Sequence, residues 1–242
     1  MNFVGNILKA QKNLYQNFIE TLRFQKHSLY KYMALSAFES SVTFANQHLK
    51  GARRFHRRKD LIHFCLEKAL TSQISEGIYA EFGVFQAKSL KMISDYISKT
   101  KNVVYGFDCF EGLPGDWGTI LPQGAFAIKK LPKVPHNAVL VKGLFTDTLP
   151  TFIKEHCNPF SFIHIDCDLY QSTKDIFDLI KHQIVPGTII LFDEYINVVD
   201  WENHEYLAFR EFAEKNNVQF EYLAYHSEQT LGSGTEVAIV IK

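Results

Sequence analysis

The amino-acid sequence predicts an α/β fold in which a mostly parallel, seven-stranded sheet carries helices on both faces. From residue 78 onward, short apolar runs alternate with amphipathic stretches long enough to form helices, which is the pattern of a parallel sheet. Some runs, such as 188–192, are apolar at nearly every position and indicate strands buried on both faces. The last two runs flank a stretch rich in Gly and Ser instead of a helix, which predicts an antiparallel pair at the sheet edge.

The first part of the chain predicts helices. It contains two glycines and no proline, and apolar residues such as Phe18 and Leu22 recur at helical spacing. We therefore divide the chain into a helical N-terminal extension, 1–76, and a main domain, 77–242.

The main domain contains seven apolar runs of strand length and four amphipathic stretches of helical length. The predicted strands are 78–84, 103–108, 138–143, 160–166, 188–193, 220–225 and 236–242. The predicted helices are 86–99, 147–156, 171–183 and 203–216.

One long segment, 111–137, interrupts this alternation. It contains four of the seven prolines, four glycines and Trp117, which looks exposed in this setting. Long loops inside compact domains are typically functional. The segment therefore predicts a lid over a binding site, with a purely structural arm as the alternative.

The composition is that of a globular protein, with 46% hydrophobic and 21% charged residues. A formal net charge of zero at pH 7 argues against a nucleic-acid partner or an acidic membrane held by bulk charge. The run 50–60 is a local exception with four arginines. It predicts a solvated helix face or linker, or else an anion-binding patch near the active site or a partner surface.

The cysteines and the N-terminus indicate the cellular compartment in which the protein is expected. Cys65, Cys109, Cys157 and Cys167 form no CxxC pair, so we expect free thiols in a reducing environment. The N-terminus lacks the basic start and apolar core of a signal peptide, and no window resembles a membrane span. We expect a cytoplasmic protein that does not bind membranes.

The predicted strands deliver acids and glycines to their carboxyl ends, where ligands bind in an open parallel sheet. Gly83 follows Glu81 after the first strand and allows a tight turn with close approach of a ligand. The other glycines of a G-x-G-x-x-G dinucleotide turn are missing, which argues against a pyrophosphate cradle. Asp108 ends the second strand, where nucleotide-binding sheets hold ribose hydroxyls; a helix cap or turn residue is the alternative.

A second group of acids ends the fourth and fifth predicted strands. Asp166, Asp193 and Glu194 offer three carboxylates with no histidine–cysteine pairing, a donor set that suits Mg²⁺ or Ca²⁺. Such an ion orients a substrate hydroxyl and lowers its pKa. The alternative is that these acids, and Asp168 with them, cap the helices that follow.

Five motifs carry a resemblance to a known family: YAEFGVFQAKSL, VYGFDCFEGLPGDWG, LVKGLFTDTLP, FIHIDCDLYQSTKDIFDLI and PGTIILFDEYINVVDWENHEYLAFREF. In this order and spacing, about residues 77–242 resemble the class I S-adenosylmethionine-dependent methyltransferases of the macrocin O-methyltransferase family. Those bacterial enzymes methylate sugar hydroxyls of macrolides. The resemblance implies a Rossmann-like class I methyltransferase fold, S-adenosyl-L-methionine as cofactor, and a homodimer through the N-terminal helices.

The resemblance also implies a binding site for the cofactor. Glu81 and Gly83 would line its methionine part, with Ser89 near the carboxylate. Asp108 would hold the ribose, and Asp166 would face the cofactor as well.

On the adenine side, the resemblance places Cys109 and Phe110 beside the base and Phe145 in the adenine or lid wall. It also implies that the trio of Asp166, Asp193 and Glu194 binds the metal.

Taken together, the sequence predicts an O-methyltransferase that acts on a hydroxyl of a saccharide or another polar small molecule, assisted by Mg²⁺. Asp166 is the first candidate for the base, Asp168 the second and His204 the third. His164, in the middle of a strand, is expected to be a packed core residue.

Two alternatives stay open. A nucleotide-binding oxidoreductase could use the same fold, although the missing glycines count against it. A catalytically silent cofactor-binding subunit would account for two departures from the family pattern, since Ala87 stands where many relatives have glycine and Glu194 where many have Asp or Asn.

Overall fold

The computed structural model describes residues 29–118, 120–226 and 231–242. Its helices are α1 Leu29–His48, α2 Arg58–Leu70, α3 Lys88–Ile97, α4 Phe145–Glu155, α5 Tyr170–Ile180 and α6 Glu205–Lys215, with short 3₁₀ turns at Lys181–Gln183 and Trp201–Asn203. Its strands are β1 Arg53–Phe55, β2 Ile78–Phe82, β3 Val104–Asp108, β4 Ala138–Lys142, β5 Phe160–Ile165, β6 Ile189–Ile196, β7 Phe220–His226 and β8 Thr235–Ile241. The predictions for residues 1–28 lie outside the described residues.

The strands form one sheet in the order β1-β7-β8-β6-β5-β2-β3-β4. β8 runs antiparallel to both β6 and β7, and the other pairs are parallel. The predicted α/β fold, mostly parallel with a C-terminal antiparallel pair, is confirmed.

One strand was not predicted, and it changes the edge of the sheet. β1 pairs in parallel with β7, Arg53 standing opposite Ala224, so the antiparallel pair does not form the edge. The reading of the extension as purely helical is wrong at this point. The strand has three residues, two of them exposed arginines, and therefore lacks the apolar signature from which strands are recognised.

The core lies in two layers, one on each face of the sheet. Along β2, Tyr79 faces the layer under α2 and α3, whereas Phe82 faces the layer under α4, α5 and α6. This alternation follows from the two-residue period of a strand. Because both faces are covered, the open carboxyl ends of the strands are where ligands can reach the sheet.

Helix α1 is fastened to the segment after β6. The buried hydroxyl of Ser41 donates to the carbonyl oxygen of Ala37 at 2.6 Å and accepts from the backbone N–H of Asn197 at 2.7 Å. Nearby, the indole N–H of Trp201 donates to the hydroxyl of Ser40 at 2.9 Å. The helix therefore contributes hydrogen bonds as well as apolar contacts to the main domain.

The segment 111–137 folds back on itself between β3 and β4. The backbone N–H of Leu113 donates to Ala125 at 2.8 Å, and that of Gly124 donates to Leu113 at 3.0 Å. Trp117 is 6% exposed, so the expectation of an exposed indole is wrong. Its ring is covered by the core and by His204, contacts that sequence spacing does not reveal. None of the helices described is long and apolar enough to cross a bilayer.

We expect Ser41→Ala to destabilise the fold by about 1–3 kcal/mol, because the buried N–H of Asn197 would lose its acceptor. Thr43→Ala is the matched control, since the exposed hydroxyl of Thr43 donates to the backbone carbonyl of Glu39 within α1. The control should change the free energy of unfolding by no more than about 0.5 kcal/mol. Urea unfolding measures both; equal effects of the two variants would contradict the role given to Ser41.

Candidate functional site

A cavity of about 790 Å³ lies at the carboxyl ends of β2, β3, β5 and β6. Its volume falls in the range of about 300–1,000 Å³ that is common for small-molecule and cofactor sites. The walls include nine residues singled out in the sequence: Gly83, Ser89, Asp108, Cys109, Phe145, Asp166, Asp168, Asp193 and Glu194.

The turn after β2 brings two strand ends into close contact. Gly83 has φ +92°, and a Cβ at this position would collide with the carbonyl oxygen of Asp166 beyond β5. Ala87, in the same turn, is buried with φ 59°, the left-handed conformation that glycine adopts most readily. The turn therefore requires glycine at 83, whereas Ala87 adopts its conformation at a cost of about 1–2 kcal/mol.

The carboxylate of Asp108 fixes this turn. One oxygen accepts from the backbone N–H groups of Val84 at 2.9 Å and Phe85 at 2.8 Å. The other accepts from the N–H of Phe110 at 2.6 Å. Hydrogen bonds to a carboxylate are about twice as strong as neutral ones. Asp108 is thus a turn residue, as the alternative reading had it, and it lines the cavity at the same time.

We expect Gly83→Ala to lower the stability of the fold by more than about 1–3 kcal/mol, because the collision with Asp166 adds to the strain of a positive φ. Gly51→Ala is the control, since a Cβ there meets nothing within 4 Å. Thermal unfolding measures both. A Gly83→Ala protein as stable as the control would show that the turn is not as tight as described.

Glu81 lies beneath the cavity rather than in its wall. Strands β2 and β5 pair so that Glu81 stands opposite His164, and Oε1 and Nδ1 of these buried side chains are 2.9 Å apart. On its other side, Nε2 of His164 is 3.7 Å from Oδ1 of Asp193. Burial alone would lower the pKa of His164, but the proximity of Asp193 and Glu81 raises it to about 10. His164 is therefore a buried cation between two carboxylates at neutral pH.

Asp193 and Glu194 lie in an irregular part of β6, which continues beyond the predicted end at 193. The register with β8 shifts between Phe192 and Ile196, so that three residues of β6 oppose Glu236. Such bulges are common beside active sites because they redirect side chains. Here the bulge places both carboxylates at the cavity.

Asp166, Asp168 and Glu194 form what we call the acidic cluster. One carboxylate oxygen of each lies within 4.8 Å of the others. Burial and the charge of Asp193 raise the pKa of Asp168 to about 7. Burial also raises the pKa of Asp166 and that of Glu194 well above their ordinary values. These shifts reflect desolvation and mutual repulsion, both of which a bound cation would relieve.

Asp193 is paired with Arg58 instead. Nη2 of Arg58 contacts Oδ1 of Asp193 and lies 3.3 Å from Oδ2 of Asp166. Burial disfavours the ionised carboxylate, but His164 and Arg58 together hold the pKa of Asp193 below its ordinary value. The three acids predicted to bind metal thus share one cavity, yet Asp168 rather than Asp193 joins Asp166 and Glu194 in a set of carboxylates that could share an ion.

Arg58 was missed as a site residue in the sequence. It lies in the arginine-rich run 50–60, where its neighbour Arg57 has a 77% exposed side chain and pairs with Asp60 on the surface. Nothing in the run distinguishes the two arginines, because their roles differ only through the face of α2 from which each side chain projects.

Two further residues predicted for the site lie elsewhere. Phe110 is 4% exposed and packs in the core layer under α2 and α3. His204 is 8% exposed and lines a second cavity, of about 540 Å³, with Asp200 and Trp201. Burial lowers the pKa of His204 and favours its neutral form. Its ring centroid is 6.3 Å from that of Trp117, which lines the first cavity.

The alternative role of the acids as helix caps is not supported by the geometry. Helix α5 begins after Leu169 and α6 after His204, and in the described structure neither residue caps its helix through a side chain. Asp168 has φ 64°, which is uncommon for a residue other than glycine. Its carboxylate joins Asp166 and Glu194 instead of the start of a helix.

Proteins with similar sequences are described as methyltransferases. Residues 80–195 match the family described as "Methyltransferase domain". A curated relative, the 8-demethyl-8-(2,3-dimethoxy-alpha-L-rhamnosyl)-tetracenomycin-C 4'-O-methyltransferase of Streptomyces olivaceus, is 24% identical over 161 residues. That alignment covers 57% of this chain and 60% of the relative, so the chain matches less than two thirds of the relative's length.

Solved structures share the fold. The crystal structure of CalS11, a calicheamicin methyltransferase, superposes with a TM-score of 0.59 and 19% identity, covering 96% of this chain and 92% of that one. An O-methyltransferase from Bacillus cereus, solved in complex with SAH, gives a TM-score of 0.52 and 16% identity over 93% of this chain and 96% of that one. The Rossmann-like fold expected from the resemblance noted in the sequence is confirmed.

Proposed function

We propose that this chain, whose residues 80–195 match the methyltransferase-domain family, is an S-adenosylmethionine-dependent O-methyltransferase that acts on a hydroxyl of a saccharide or a similarly polar small molecule. The observation that carries the proposal is that the turn after β2, the carboxylate of Asp108 and the acidic cluster all face one cavity. A donor and an acceptor bound there would lie side by side. Such alignment can supply about 7–11 kcal/mol of the reduction in the barrier.

The cofactor would occupy the end of the cavity near β2 and β3. Gly83 lets the cofactor approach the backbone, and Ser89 lies in the first turn of α3, where free N–H groups favour a carboxylate. Asp108 already accepts three backbone hydrogen bonds, which leaves about one of its four acceptor positions for a ribose hydroxyl. Cys109 and Phe145 would provide the wall for the adenine.

The acceptor would occupy the other end, between the acidic cluster and segment 111–137. That segment contributes Leu113 and Trp117 to the walls, so an apolar and aromatic surface faces several carboxylates. A sugar suits both, because its C–H face packs on an aromatic ring while its hydroxyls donate to carboxylates. The Streptomyces olivaceus relative is named as the 4'-O-methyltransferase of a rhamnosylated compound, which favours the same acceptor class.

A divalent cation, Mg²⁺ in the first place, fits the acidic cluster. Carboxylate oxygens are the ligands that Mg²⁺ and Ca²⁺ prefer. Oε2 of Glu194 is buried and has no hydrogen-bond partner among the described residues, so a cation there would satisfy it. Asp166, Asp168 and Glu194 would hold the ion, with Asp193 beside them. The ion would polarise the acceptor hydroxyl and lower its pKa.

Asp168 is the preferred base in this proposal, ahead of Asp166. A base works best when its pKa is close to the working pH, and that of Asp168 is raised to about 7. Asp166, by contrast, also lies 3.3 Å from Arg58, which stabilises its ionised form. One oxygen of Asp168 lies with those of Asp166 and Glu194 in the acidic cluster. The other would take the proton of the acceptor hydroxyl as its oxygen attacks the methyl carbon and the carbon–sulfur bond breaks.

We expect Asp108→Asn to weaken the binding of S-adenosylmethionine at least about tenfold, because the turn after β2 would lose a charged acceptor. Asp95→Asn is the control, since Asp95 is exposed on α3. Isothermal calorimetry measures the affinity of each full-length variant.

Calorimetry also separates the alternatives. Binding of NAD in place of S-adenosylmethionine would favour the oxidoreductase. Binding of S-adenosylmethionine without turnover on any acceptor would favour the catalytically silent subunit.

We expect Asp168→Asn to reduce methyl transfer to a panel of sugars and sugar nucleotides by about 10²–10⁴-fold, the usual worth of a general base. Asparagine tolerates the left-handed conformation at 168, so the fold should survive. Asp178→Asn, on the exposed face of α5, is the control and should keep full turnover. A fully active Asp168→Asn would assign the proton to another group.

The pH dependence of methyl transfer follows from the carboxylate of Asp168. Its pKa is raised, so Asp168 is protonated below about 7 and ionised above it, and turnover in EDTA should rise with pH through about 7. A bound cation favours the ionised form, so Mg²⁺ should move this rise to lower pH. An unchanged profile would contradict the proposed place of the ion.

A further inference from the structure

Arg58, the first residue of α2, is a cation built into the acidic end of the cavity. Its Nη2 contacts Asp193 and lies 3.3 Å from Oδ2 of Asp166. Its Nε lies 3.4 Å from Oε1 of Glu236 on β8. Arg58 therefore joins three carboxylates that come from three different parts of the sheet.

Glu236 is itself held in place from behind. Its Oε2 lies 2.7 Å from Nδ1 of His226 on β7. Nε2 of that histidine donates to the backbone carbonyl of His56 at 3.1 Å. His56 follows β1 directly and precedes Arg58 by two residues. The chain is therefore hydrogen-bonded to His226 just before Arg58, and the same histidine holds Glu236, which contacts the guanidinium.

Arg58 and His164 leave Asp193 poorly suited to bind a divalent ion. Oδ1 of Asp193 contacts the guanidinium and is 3.7 Å from Nε2 of His164, so a metal ion at this oxygen would lie against the positive charge of Arg58 and beside an imidazole nitrogen. The acidic cluster, by contrast, offers one carboxylate oxygen each from Asp166, Asp168 and Glu194, and these oxygens converge within 4.8 Å.

We propose that Arg58 is a positioning residue that occupies Asp193 and the outer oxygen of Asp166, and thereby confines a divalent ion to Asp166, Asp168 and Glu194. This inference rests on the metal site of the proposed function. It assigns to Arg58 the selection of the carboxylates that bind the ion, and Arg58 lies outside residues 80–195, the part of the chain that matches the methyltransferase domain. The guanidinium suits this role because its planar fork can contact two carboxylates at once.

The test measures the affinity of the full chain for Mn²⁺. The electron paramagnetic resonance signal of free Mn²⁺ reports how much of the ion is unbound. Asp168→Asn should weaken binding at least about tenfold, whereas Asp193→Asn should change it by less than about threefold. Arg58→Met should tighten binding at least about tenfold, because it removes a nearby positive charge and frees Asp193. The double variant Arg58→Met/Asp193→Asn should return close to the wild-type affinity.

Two further variants guard against an unfolded protein being mistaken for a result. Arg57→Met is the matched control and should leave Mn²⁺ affinity unchanged, since in the part of the chain that the structure describes Arg57 pairs with Asp60 on the surface. Arg58→Lys keeps the charge but gives up the fork, so it should tighten binding by about threefold. If thermal unfolding shows that Arg58→Met does not fold, the affinity of Arg58→Lys for Mn²⁺ decides the test instead.

Several outcomes would overturn the proposal. One is that Asp193→Asn costs as much affinity as Asp168→Asn, which would make Asp193 a direct ligand. Another is that both Arg58 variants weaken Mn²⁺ binding or leave it unchanged. Failure of every form to bind Mn²⁺ would overturn it too, yet methyl transfer in EDTA would then still support the proposed function. If the wild-type protein did not bind S-adenosylmethionine, the proposed function itself would fail.

Discussion

The repulsion among four carboxylates at one cavity is the constraint on which the rest of this site depends. Asp166, Asp168, Asp193 and Glu194 come from the ends of two neighbouring strands, and all line the same space. Buried like charges cost several kcal/mol unless a counter-charge or a proton compensates them. Asp193 is compensated by Arg58 and His164, whereas burial and mutual repulsion raise the pKa of the other three. The environment thus favours the ionised form of Asp193, whereas the other three acids would be stabilised by a cation or a proton.

The main chain fixes where these charges meet. Parallel pairing of β2 with β5 sets Glu81 opposite His164, and the same pairing brings the turn at Gly83 against the carbonyl of Asp166. Asp108 then fastens this turn from the neighbouring strand through two backbone N–H groups. The end of the cavity near β2 and β3 and the acidic end are therefore coupled through one tight turn, and a change of register in the sheet would displace both.

Much of this arrangement could be predicted from the sequence, and the parts that could not have a common physical cause. Apolar runs and turn residues are local signals, so seven strands and four helices of the main domain were placed within a few residues. The clustering of acids at the carboxyl ends of strands followed from the rule for open parallel sheets. The burial of Glu81, the pairing of Asp193 with Arg58 and the indole contact of His204 depend on which side chains meet across the fold. Arg58 and Asp166 are 108 positions apart, and no local pattern encodes their contact.

The separation of Asp193 from Asp168 explains how one acidic surface can serve two chemical purposes. Their environments move the two pKa values in opposite directions, one lowered by neighbouring cations and one raised to about 7 by burial and repulsion. Carboxylates divided in this way typically have different roles, the first as a fixed charge and the second as the group that exchanges a proton. Because the positive groups on Asp193 are held by Glu81 on one side and Glu236 on the other, the division is built into the fold before any ligand binds.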